Sequence, residues 1–470
     1  MKITRTGADT MGEVLITANA LWGAQTQRSL NNFKIGNIRM PIEMIRALAI
    51  IKKAAAFANA QAGVLPIEKR DLISQICDEI LAGKWDSEFP LFVWQTGSGT
   101  QTNMNINEVI ANRGEILQKN IAPADLPSKP TFLSANDDVN RSQSTNDVFP
   151  SAMRMAMYQL LVNQTVPALE NLSKSIKTKA NSFQNIIKIG RTHLMDATPL
   201  YLRDEFLTFA AQLDFGIAAL KNTFFHLTQL PIGGTAVGTG LNTPQNYAQM
   251  AVNYINQFTG LTFYPAQCKS EAMATQDALV ETSNALKQMA VSLTKIANDI
   301  RLLASGPRCG LAEIQLPSNE PGSSIMPGKV NPTQCEALTM VCAQVVGNDA
   351  TITFSAMQGH LQLNTFMPVI AYNSILSATL LADAVNSFNI NCIQGIIANV
   401  ENIEKHLQNS LMLVTALNPH IGYANAAKIA QLAYNENITL KEAALQTGLL
   451  NEKDFDNWVQ AEKMLGNTSN

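Results

Sequence analysis

The chain has 470 residues, of which 46% are hydrophobic and 15% charged, and its formal net charge is −3. That near-neutral balance, with no basic run, excludes nucleic acid as a partner. The length predicts two or three domains, and the sparse charge predicts that much surface is buried between subunits.

Helical patterning dominates. Pro41 opens a helix predicted to run to Ala62, with Gly63 just past its end. Proline suits a first turn, where its missing N–H would have no partner, and glycine suits the stop. Shorter helices are predicted at 69–82 and 104–118. Long ones follow at 149–184, 203–230, 271–305, 333–356 and 361–388, with Pro167 and Pro368 expected to kink the first and last of these. The 271–305 stretch contains neither Gly nor Pro. Within it Leu279, Thr282, Leu286, Met289, Leu293, Ile296, Ile300 and Leu303 recur at alternating spacings of three and four, the pattern of a coiled-coil seam. At about 1.5 Å per residue this helix would be roughly 50 Å long, and Gly306-Pro307 stops it.

Helices this long, apolar on most sides, predict an elongated bundle that packs with bundles of other subunits. No repeat of roughly 30–45 residues supports a solenoid. Beyond residue 399 the chain turns polar, with short helices at 402–416, 423–435 and 440–447. The expected domains are 1–140, a central helical bundle at 141–399, and 400–470.

Six cysteines show no C-x-x-C pair and five histidines show no H-E-x-x-H spacing. Reduced thiols and no metal site are the expectation. The first residues lack the apolar stretch of a signal peptide, and no apolar run reads as long enough to span a membrane. A cytoplasmic protein that needs no membrane is therefore expected.

Three polar segments stand directly before helices: Q-T-G-S-G-T-Q-T-N-M-N (95–105), R-S-Q-S-T-N-D-V-F-P (141–150) and P-G-S-S-I-M-P-G-K-V-N-P-T-Q-C-E-A (321–337). A helix N-terminus presents free N–H groups and a partial positive charge, so it receives anions. Gly97 and Gly99 let the backbone approach a ligand closely, and Thr100, Ser144, Thr145 and Asn146 add neutral donors. Singly, each segment reads as an N-cap. Together, each richer in donors than a cap requires, they point to a small dianion. No phosphate loop or dinucleotide unit is present, so two carboxylates fit better than phosphate. A fourth segment, G-R-T-H-L-M-D-A-T-P (190–199), reads as a polar loop between two long helices. It carries His193 beside Thr192, and an imidazole suits proton transfer near neutral pH.

In the third segment, Asn331-Pro332-Thr333-Gln334 reads as N-cap, N1, N2 and N3, with Gln at the capping-box position. Ser323, Ser324 and Lys329 are left without a structural role. Gly322 and Gly328 flank them, so the loop reads as a closing lid. Lys329 can neutralise a substrate carboxylate or the charge that develops on it. No G-x-S-x-G elbow makes Ser323 a nucleophile. A deprotonated Ser323, held by loop N–H groups and Lys329, can instead remove a C–H proton. Glu336, about one turn into the helix, can hold His193 for proton transfer.

These segments, with G-G-T-A-V-G-T-G-L-N and A-S-G-P-R-C-G, resemble class II fumarase (fumarate hydratase) of the fumarase/aspartase superfamily over nearly the whole chain. The G-S-S-I-M-P-G-K-V-N-P motif is shared across the superfamily, whereas its continuation T-Q-C-E-A-L-T-M is like fumarases. The resemblance implies an all-helical three-domain subunit and a homotetramer whose active sites are each assembled from three subunits. It implies reversible hydration of fumarate to (S)-malate with no metal or organic cofactor. Ser323 would take the C3 proton, Lys329 and Asn331 would stabilise the aci-carboxylate, and His193, paired with Glu336, would act through water on the C2 hydroxyl. Ser98, Gly99, Thr100, Ser144, Thr145, Asn146 and Thr192 would bind the dicarboxylate. Ser324 and Val330 would complete the loop side.

Such fumarases often carry a second dicarboxylate site, which would fall here on Ser134, Ala135, Asn136 and Asp137. Thr131 and Ser134 replace its usual Arg and His. Arg203, Asp204, Gln362 and Met367 also depart from the family pattern. Two alternatives compete: an aspartate ammonia-lyase-type enzyme of the same superfamily, and an inactive helical scaffold. The T-Q-C-E continuation argues against the first, and the intact Ser323, Lys329, Asn331, His193 and Glu336 argue against the second.

Overall fold

The computed structural model of the chain describes residues 4–466. It is mainly helical, as expected. The chain forms two compact units, each built from three segments. The first holds the described residues up to Pro167, with Ala218–Ala290 and Ala343–Ala382; the second holds Ala168–Ile217, Val291–Cys342 and the described residues from Asp383 onward.

In the first unit the Ile42–Gln61 helix packs against the Ile67–Leu81, Thr145–Leu160 and Tyr247–Thr259 helices. A helix covered on several sides needs small residues where neighbours come close. Ala47, Ala49, Ala54, Ala55 and Ala58 supply them, all fully buried, and Ala is also the best helix former. In the second unit, Leu417, Ile429, Ala443 and Phe455 close a small core among the Leu411–Leu417 turn and the Tyr423–Glu436, Leu440–Gln446 and Glu452–Trp458 helices.

All eight seam residues from Leu279 to Leu303 are buried. The helix that carries them is shorter than expected: Asp277–Leu303, 27 residues, or about 40 Å. A separate Lys269–Ala274 helix precedes it. Thr275 between them is extended, and the carbonyl of buried Gln276 accepts from Leu279 and Val280 to start the long helix. Asp277 then opens its first turn, where a negative charge is favoured. No glycine or proline marks this break, so periodicity alone ran through it.

Two prolines were expected to kink helices. Pro167 lies just past a π-turn at Leu161–Thr165, one widened turn that absorbs its missing N–H and the clash of its ring. Pro368 kinks nothing, because it is the second residue of the Met367–Asn391 helix. The stretch before that helix is a turn organised by buried Asn364, whose amide donates to Ser355 and Ala356 and whose carbonyl accepts from Phe366. Met367–Gly395 is long and apolar enough to cross a membrane by length and composition, which corrects the reading that no run is. Of its most apolar window 61% is buried within the fold, as in a core helix.

Two antiparallel hairpins were not anticipated: Thr4–Asp9 with Gly12–Thr17, and Ile187–Thr192 with Met195–Tyr201. The second replaces the expected polar loop around His193.

Candidate active site

In the first unit, Gly99 precedes the Thr100–Lys119 helix. The Ser98 and Thr100 hydroxyls hydrogen-bond each other at 2.8 Å. Gln95 fastens the loop by accepting from the Thr102 N–H and hydroxyl, and Gln101 accepts from the Thr96 N–H. Gly97 meets the turn before Met367: its carbonyl accepts from the Met367 N–H at 3.0 Å, and a Cβ there would fall 1.4 Å from the Thr365 carbonyl oxygen.

Ser144 caps the Thr145–Leu160 helix by accepting from the Asn146 N–H at 3.2 Å. Asp147 completes a capping box, accepting from the Ser144 N–H at 2.9 Å. Its other oxygen takes the Gly233 and Thr235 N–H groups, each at 2.9 Å, which ties the G-G-T-A-V-G segment to the same helix end. Burial pushes the Asp147 carboxyl up to about 7 against these N–H bonds. Lys52, fully buried, donates to Asn140 and Gln143 at 2.9 Å each, and burial lowers its amine to about 7. Asn103 bridges the two helix starts, donating to Asn140 at 3.2 Å and to the Thr145 hydroxyl at 3.0 Å. The Asn146 amide donates to Ala236. Ser144 and Thr145 thus accept bonds from the protein and keep their O–H groups for a ligand. Lys52, Asn103, Asn140 and Asp147 escaped the sequence reading; a lysine inside an Ala/Ile helix and an Asp at N3 were the signals.

In the second unit, His193 and Leu194 form the two-residue tip of the Ile187–Thr192/Met195–Tyr201 hairpin. Thr192 pairs with Met195, and the tip residues have φ of 55° and 63°. Left-handed backbone at both positions is the I′ arrangement that matches strand twist, usually filled by Asn-Gly. With His and Leu it stores roughly 1–3 kcal/mol per residue. Thr192, His193 and Leu194 are exposed.

The 321–331 loop of the same unit folds on itself. The Gly322 N–H donates to the Lys329 carbonyl at 2.8 Å, and the Asn331 amide donates to the Gly322 carbonyl at 2.6 Å. A Cβ on Gly322 would meet the Lys329 oxygen at 2.4 Å. Half-buried Ser323 accepts from the N–H groups of Ile325 at 3.2 Å and Met326 at 3.0 Å. Two N–H dipoles on one hydroxyl oxygen favour its anion. Ser324, Lys329 and Val330 are exposed.

The helix that follows begins at Thr333, with the Glu336 N–H donating to the Pro332 carbonyl. Asn331 is therefore not its side-chain cap, and Gln334 is not a capping-box residue: Gln334 accepts from the Ser387 hydroxyl at 2.8 Å, and the Thr333 hydroxyl bonds Glu320. Tertiary partners outbid the local cap. Glu336 is exposed, and no hydrogen bond joins it to His193 among the described residues of the chain.

Asn136 and Asp137 line a cavity of about 250 Å³ with Arg5, Lys129, Ser134 and Ala135. They also border one of about 700 Å³ that reaches Ser144. Ser134 is occupied locally, donating to the Asp137 carboxylate and accepting from the Asp137 N–H. Thr131 is spent on buried Glu115, to which both its N–H and its hydroxyl donate.

A family profile described as lyase matches residues 12–347, and one described as fumarase C C-terminus matches residues 413–466. Fumarate hydratase class II of Pasteurella multocida is 61% identical over 97% of this chain and 98% of that protein. That of Bacillus subtilis is 52% identical over the same shares. Among solved structures, class II fumarase from Schistosoma mansoni superposes with a TM-score of 0.96 at 40% identity, covering 99% of this chain and all of that one. A fumarate lyase:delta crystallin structure from Brucella melitensis gives 0.92 at 42%, covering 98% and 99%. A lyase profile over most of the chain, joined by full-length identity above one half, leaves one conclusion: the chain belongs to the class II fumarate hydratase family.

Proposed function

We propose that this enzyme hydrates fumarate reversibly to (S)-malate, in the tricarboxylic acid cycle and in the cytoplasm, with Ser323 as its carbon base. The observation that carries the mechanism is the pair of backbone N–H bonds on the Ser323 oxygen. In the malate-to-fumarate direction the Ser323 alkoxide takes the C3 proton. The electron pair of that C–H bond moves into the adjacent carboxylate, giving a dianionic aci-carboxylate. Lys329 places its ammonium against this charge. Asn331 has one amide hydrogen committed to Gly322 and a second free to donate. His193 then delivers a proton through water to the C2 hydroxyl, which leaves as water while the electron pair forms the double bond. Glu336 holds the imidazole. Ser98, Gly99, Thr100, Ser144, Thr145, Asn146 and Thr192 bind the carboxylates, and Ser324 and Val330 support the loop.

The unit of function on this reading is a homotetramer with each site shared among three subunits. Its support is the exposed apolar surface on the Thr333–Ala356 helix, where Met340 is 67% and Phe354 58% exposed, and at Val291, 61% exposed. Side chains this apolar are expected under a partner.

Malate and, separately, aspartate are mixed with the purified protein and fumarate is followed by its ultraviolet absorbance. Fumarate from malate is expected; fumarate from aspartate alone overturns the assignment. Ser323→Ala is expected to lower turnover by about 10²–10⁴-fold with the fold intact. Near-parental turnover would remove Ser323 as the base.

A further inference from the structure

A buried charge cluster in the second unit has no part in the chemistry above. Glu313 is fully buried. It follows the A-S-G-P-R-C-G turn after the Asp277–Leu303 helix, and its backbone is held at both groups, donating to Leu303 at 2.8 Å and accepting from Asn399 at 2.9 Å. Its carboxylate accepts from Arg191 at 2.8 Å, faces the Lys188 ammonium at 3.1 Å and lies 3.2 Å from His406 Nδ1. Lys188, also buried, pairs on its other side with Glu205 at 3.0 Å.

Two of these cations belong to one strand of the His193 hairpin. In a regular strand, residues 188 and 191 would point to opposite faces. The pairing is irregular there: between Ile189 and Arg191 the opposite strand carries one extra residue, between Asp196 and Pro199, and at this irregularity both side chains reach one carboxylate. Stability alone gives no reason for this device, since an apolar cluster of the same volume is commonly no worse. The hairpin tip gives one. An isolated two-stranded hairpin is marginal, and left-handed His193 and Leu194 persist only where the surroundings over-determine them.

We propose that Glu313 is a positioning residue for the proton-transfer step: by clamping Lys188 and Arg191 it fixes the hairpin and, through it, the place of His193. The inference rests on the role assigned to His193 above. Arg191 is the less buried cation, 14% exposed against 2% for Lys188, so folded Arg191→Met full-length enzyme is the first variant. Its kcat for malate is expected to fall by about tenfold or more, with KM within about threefold, the split of a group that acts on the chemical step rather than on binding.

Glu313→Gln strips buried Lys188 and half-buried Arg191 of a counter-charge, and its melting temperature falls as well. Adding Lys188→Met rebalances the charge. The double variant is expected to recover melting temperature while kcat stays about tenfold down. Parental kcat in folded Arg191→Met, or recovery of kcat together with melting temperature in the double variant, overturns the proposal. His193→Asn is measured beside them. If it keeps parental kcat, the role of His193 itself fails. If it is inactive while Arg191→Met is not, only the present inference fails.

Discussion

Glu115 shows how one side chain sets a pH limit. Burial pushes its carboxyl up, but Lys119, the Phe132 and Thr131 N–H groups and the Thr131 hydroxyl together bring it down to about 2. A carboxyl depressed on folding stabilises above its unfolded value and loses that contribution as pH falls through the folded one. The window here runs from about pH 4.5 to about 2. Glu115→Gln is expected to lose about 1–3 kcal/mol at pH 7 and to flatten the acid limb in that window, read by thermal melting across pH. A Gln variant with the parental acid limb would assign that limb to another group. Lys52 is a second case at this scale. Lys52→Met leaves the Gln143 side-chain oxygen without its buried donor, while that of Asn140 keeps Asn103 and Asn107, so a loss of about 1–3 kcal/mol is expected by denaturant unfolding.

Elements show where neighbours fix a conformation. The start of the Thr100–Lys119 helix is held against the turn before Met367 through Gly97. Gly97→Ala would drive a methyl into the Thr365 carbonyl. It is expected to lower the melting temperature by several degrees and to raise KM for malate, since Ser98 and Thr100 ride on the displaced loop. Helix starts and ends marked by proline or glycine, as at Pro41 and Gly63, could be read within a residue. The break at Thr275–Gln276 could not, because neither residue is a helix stop by its local chemistry, and the long helix starts from the carbonyl of buried Gln276. The His193 tip was also illegible, since nothing in His-Leu advertises a I′ turn. What makes it one is the pairing of the strands on either side.

At the scale of the whole molecule, the exposed apolar residues on the long helices predict assembly. Met340→Asp with Phe354→Asp is expected to yield smaller species by sedimentation and to abolish hydration in the same step, because each proposed site draws on several subunits. A dissociated but fully active variant would show that one chain is sufficient.

Composition, helical period and the polar segments before helices determined the helical class and the buried seam and singled out the residues proposed to bind a dicarboxylate, because these depend on local spacing and side-chain chemistry. Only the tertiary structure decided that Ser323 is cradled by two N–H groups, that Asn331 ties the loop rather than capping the helix, that His193 sits on a strained hairpin tip, that buried Lys52 bonds Asn140 and Gln143, and that buried Glu313 meets Lys188 and Arg191. Each of these depends on which distant groups burial brings within hydrogen-bond reach. No property of a local stretch of chain encodes that by itself.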